Sequence, residues 1–146
     1  ARLHVGESAT ATEVRPDGSG MSHGTGLPWR PESSGQHAAW DFLLVQLSGG
    51  YAEARVSRRS AFAVFFTNAK DDHDNAQNAI SWLVEGGYAD SGDAAWLRAE
   101  AETRDFLKQR WQAIERVATA LQTAGKLEAA EVIALAQLES PAPQRN

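Results

Sequence analysis

Residues 93–123, DAAWLRAEAETRDFLKQRWQAIERVATALQT, decide the fold class. Trp96, Ala99, Thr103, Leu107, Trp111, Ile114, Ala118 and Leu121 recur at three- and four-residue steps, with Phe106 and Val117 widening the stripe. That is the period of an amphipathic helix. Asp93 suits its positive N-terminal end, and Gly125 is a good stop. Beyond it, Leu127 to Leu138 predicts a last helix, and residues 139–146 form a polar, Pro-containing tail expected to fray.

The same period extends upstream. Residues 71–87 place Ala76, Ala79, Ile80, Leu83 and Val84 on one stripe, with Asp71, Asp72 and Asp74 at its start and Gly86-Gly87 at its end. From Ser33 or Ser34 as cap, Trp40, Leu43, Leu44 and Leu47 predict another helix. Phe42 and Val45 make its other faces apolar, so it is expected to be buried nearly all round and to end or kink at Gly49-Gly50. Between these helices lies the apolar run Ala61 to Phe66, AFAVFF, which fits a buried strand, the wall of a cleft or a contact with another subunit.

Residues 1–31 differ. Leu3, Val5 and Val14 alternate with polar residues, Pro16-Asp17-Gly18 marks a turn, and a glycine-rich stretch runs to Gly26 before Pro28 and Pro31 flank Trp29. The expected architecture is mainly α, a helical bundle with a small N-terminal β-rich part. It forms a single domain over 1–138, with short strands and loops in 1–31, the bundle in 33–138 and a flexible tail in 139–146.

Composition narrows the function classes. A chain of 146 residues with 42% hydrophobic residues is one domain's length, able to bury roughly two-thirds of its unfolded surface. A net charge of -5 gives no positive field for nucleic acid or an anionic membrane, and Arg55, Arg58 and Arg59 are too few to reverse it. With no cysteine there is no disulfide, thiolate nucleophile or Cys-containing zinc site. No apolar run reaches the ~18 residues of a membrane span, and no signal-peptide layout opens the chain, so a cytoplasmic location is expected. Ala1 in place of Met points to a processed or truncated piece of a longer polypeptide.

Chemistry-bearing motifs are sparse. Gly20-Met21-Ser22-His23-Gly24 fits G-x-S-x-G, but Pro28 and Pro31 interrupt the helix a serine nucleophile needs, so Ser22 reads as part of a glycine-rich turn. Gly18, Gly20 and Gly24 do not make a phosphate loop. Of Trp29, Trp40, Trp82, Trp96 and Trp111, all but Trp29 fall in predicted helices, as core aromatics rather than base-stacking platforms. His4, His23 and His37 are scattered, and no two histidines have zincin spacing. Asp71-Asp72-His73-Asp74 is the most loaded segment and has two readings: acidic helix caps, or oxygen and imidazole ligands for a divalent cation.

Several segments, taken in order, carry a resemblance. Leu43 to Glu53, LLVQLSGGYAE, has a buried helix ending in Gly49, then Ala52-Glu53. In Asp71 to Ala76, DDHDNA, an Asp is followed four places later by Ala76. Phe106 to Val132, FLKQRWQAIERVATALQTAGKLEAAEV, is a long helix with a basic and aromatic middle, then Leu127 and Glu131 opening the last helix. With the glycine-rich stretch Gly18 to Pro28, these resemble the zinc peptidase domain of FtsH-type proteases and its stand-alone relatives, over roughly residues 4 to 136. The resemblance implies an FtsH peptidase-like fold, a zinc cofactor, a peptide or protein substrate, and Asp72 as the third metal ligand. The other two ligands and the general base belong to an H-E-x-x-H helix, a motif these 146 residues do not contain. The expectation is therefore the portion following H-E-x-x-H, catalytically incomplete by itself, with no catalytic residue assigned. The family's membrane anchor and ATPase module are also outside this sequence, which fits the stand-alone relatives better. The alternative is a non-catalytic helical module for protein interaction or homo-oligomerisation, with Ala61 to Phe66 as its contact surface.

Overall fold

The computed structural model describes residues 9–14, 20–24 and 35–138. The turn at Pro16-Asp17-Gly18, the breaks at Pro28 and Pro31, the caps Ser33 and Ser34, His4 and the tail 139–146 lie outside the described residues. In chain order the elements are β1 (Ala9–Val14), β2 (Gly20–Gly24), α1 (Gln36–Ser57), α2 (Ala61–Phe65), α3 (Lys70–Glu85), α4 (Gly92–Ala124), β3 (Lys126–Glu128) and α5 (Ala129–Gln137). The protein is mainly helical. Its residues group into two compact units: α1, α2, α3 and α4 up to Lys108 in one, and the strands, α4 from Gln109 and α5 in the other.

The first unit is a helical bundle. α1 starts after Gly35, whose backbone is extended and which offers no capping side chain. Its buried face is Ala39, Leu43, Leu47, Ser48, Gly50, Tyr51 and Ala54. Phe42, Leu44 and Val45 are only partly covered, so the helix is buried on one side rather than all round. Nor does it end at Gly49-Gly50. The chain stays helical through both glycines, because at Gly50 the helix meets the Phe65 ring so closely that an added Cβ would overlap it. Glycine here serves close packing, not termination. α1 instead ends at Arg58, a non-glycine residue in the left-handed region with φ 55°.

AFAVFF is a short helix, not a strand. Ser60 caps it by accepting a hydrogen bond from the Ala63 N–H at 3.2 Å, and the helical turn sends Val64 and Phe65 into the core while Phe62 and Phe66 stay exposed. α3 matches the predicted stripe, burying Ala76, Ala79, Ile80 and Leu83, and closes through Gly86 and Gly87, the latter at φ 73°. α4 buries Ala95, Ala99, Thr103 and Leu107 within this unit. Two clamps tie its exposed edges to α1. Trp40 donates from Nε1 to Glu102 at 2.8 Å while Arg98 covers the indole at 4.3 Å, and Arg104 lies 4.8 Å over the Tyr51 ring.

In the second unit three strands form an antiparallel sheet in the order β2-β1-β3, pairing Thr12 with Ser22 on one side and with Leu127 on the other. Lys126–Glu128 therefore belongs to a strand, and the last helix begins at Ala129 rather than at Leu127. Glu128 caps it in a reciprocal box with Glu131, whose Oε2 accepts the Glu128 N–H at 2.8 Å. Arg116 of α4 holds its far end by donating to the carbonyls of Leu135 at 3.0 Å and Leu138 at 2.6 Å. Among the described residues no helix is long and apolar enough to cross a membrane.

Two substitutions test this packing. Gly50→Ala gains up to about 1 kcal/mol of helix propensity but drives a methyl into the buried Phe65 ring, at a cost of about 1–3 kcal/mol. A net fall in the urea unfolding midpoint is expected. Thr103 is 1% exposed, and its hydroxyl has no hydrogen-bond partner among the described residues. Thr103→Val, which keeps the shape and removes the orphaned group, is expected to stabilise the fold by about 1 kcal/mol, read as a higher melting temperature.

Candidate functional site

Asp72 sits in the first turn of α3. Its carboxylate turns toward α1 beside Gly49, where an added Cβ would lie 3.4 Å from Asp72 Oδ2, an ordinary van der Waals contact. Burial, and secondly the neighbouring Asp71, push the Asp72 carboxyl above the ordinary aspartate range. Among the described residues no hydrogen bond or ion pair reaches it.

The rest of Asp71-Asp72-His73-Asp74 does not converge on that carboxylate, because consecutive helical residues diverge around the axis. Asp71 is exposed. Asp74 turns outward to Lys70 at 2.6 Å, which lowers the Asp74 carboxyl and raises the Lys70 ammonium, and the His73 Nδ1 lies 3.5 Å from its other oxygen. The His73 ring packs among aromatics, with centroids 5.2 Å from Phe66, 5.6 Å from Trp96 and 6.1 Å from Phe65. No group of three His, Cys, Asp or Glu side chains able to hold a metal ion occurs among the described residues.

Those aromatics line a cleft of about 530 Å³ between α2 and α4, with Tyr51 of α1 and His73 and Gln77 of α3 along its sides. Phe65 is its most deeply packed ring, meeting Tyr51 edge-on at 5.3 Å and Trp96 edge-on at 6.0 Å. Phe62 and Phe66, 4.4 Å apart, stand at the mouth. Glu100 lies beside the Tyr51 hydroxyl and pairs with Arg104 at 2.8 Å. Burial, followed by Glu100, pushes the Tyr51 hydroxyl up to about 12, so it stays protonated and neutral at physiological pH.

Comparisons with known proteins found no matching family model, curated protein or solved structure.

The remaining sequence candidates are dispersed. Gly20 to Gly24 form β2 itself, so Ser22 lies within a paired strand and not on a strand-to-helix turn. His23 is in the same strand, and His37 is exposed at the start of α1. Glu53 accepts a hydrogen bond from Asn68 Nδ2. Sequence reasoning offered a cleft wall as one role for Ala61 to Phe66 but assigned no cleft role to Tyr51, Trp96, Glu100 or Arg104. These come from separate helices, and no local spacing links them.

The raised Asp72 carboxyl has a pH consequence. Between the unfolded and folded pKa values the folded state holds more protons, so ionisation of Asp72 lowers stability as pH rises through that window. Asp72→Asn is therefore expected to melt higher than the parent at pH 7, with the difference shrinking as the pH falls through the raised folded value toward the ordinary aspartate range and gone below that range. Thermal unfolding across that pH range checks both the sign and the window.

Proposed function

We propose that this chain is the helical, Asp-bearing part of a zinc metallopeptidase-like protein. Asp72 is its one metal ligand, and the two histidines and the glutamate of H-E-x-x-H come from outside these residues. The main support is the meeting of Asp72 with Gly49. Two separate stretches that resemble the FtsH-type peptidase domain, Leu43–Glu53 and Asp71–Ala76, thereby lie side by side where α3 begins. Chance similarity of short segments does not require them to be neighbours in space.

The carboxylate suits a cation. It is half-buried, its ionised form is disfavoured by burial and by Asp71, and no described donor satisfies it. A divalent ion would supply the missing positive charge, and carboxylate oxygen is an accepted zinc ligand. Zinc, when bound, polarises a peptide carbonyl and lowers the pKa of its water. The residues of this chain do the positioning: the buried stripe of α3 fixes the helix that carries the carboxylate and sets it beside Gly49 of α1. The β1–β2 pairing belongs to the same reading, as the strand and loop region preceding the helices, and a peptide or protein is the proposed substrate.

Metal content of the longest natural form of the protein tests this, measured with and without Asp72→Ala. Zinc near one per chain in the parent, lost in the variant, is expected. Zinc retained by the variant, or absent from the parent, would overturn the assignment of Asp72.

A further inference from the structure

We draw no further inference here: the strongest candidate, the apolar trough of the second unit between α4 and α5, lined by Ala120, Ala124, Leu127, Ala134 and Leu135 and bridged by Arg116, carries nothing because nothing in the structure shows what covers it.

Discussion

The close approach of the Phe65 ring to α1 at Gly50 is the constraint on which the first unit depends. At Gly50 the missing side chain lets the Phe65 ring reach the α1 backbone, while next to it, at Gly49, the Asp72 carboxylate lies at ordinary contact distance. Phe65 in turn anchors α2 and touches Tyr51, His73 and Trp96. One ring therefore links all four helices of the unit. Phe65 also forms part of the cleft wall, together with Tyr51, His73 and Trp96.

Polar groups on α4 complete what the apolar core begins. Glu102 accepts from the Trp40 indole, and Glu100 lies beside the Tyr51 hydroxyl, helping to hold its proton. Each of these acids is also paired with an arginine on the same helix, and that arginine stacks on the same aromatic ring. Surface ion pairs contribute little by themselves. Here they sit against the polar ends of Trp40 and Tyr51, tying α4 to α1 at two places along its length.

The helical class and most helix extents were legible in the sequence, because burial of one stripe imposes a period that needs no knowledge of the partner surface. α3 and α4 illustrate this, with Ala76, Ala79, Ile80, Leu83, Ala99, Thr103 and Leu107 buried as their spacing requires, although Trp96, Trp111, Ile114 and Leu121 of the same α4 stripe are only partly covered and Ala118 is exposed. Failures arose where a residue's role depends on what it meets. Gly49-Gly50 reads locally as a stop, and only the Phe65 ring makes it a packing joint. AFAVFF has no resolvable period in so few residues, and its helical state follows from the Ser60 cap and the burial of Val64 and Phe65. Asp72 was identifiable as an unusual carboxylate only through resemblance, while its orientation toward α1 comes from the packing of α3. The aromatic cleft was least legible, since its walls are assembled from residues far apart in the chain.

Glu128 holds two positions at once. It is the last residue of β3, paired with Ala11 of β1, and also the cap of α5, with its backbone N–H held by Glu131. No linker separates strand from helix, so there is no point at which one could loosen while the other persists. Loss of the β1–β3 pairing removes the extended backbone that sets the first turn of α5, and unwinding of that turn frees the edge of the sheet. Sheet and helix should therefore open as a single cooperative block, giving the amides of β3 and of the start of α5 a common protection against hydrogen exchange.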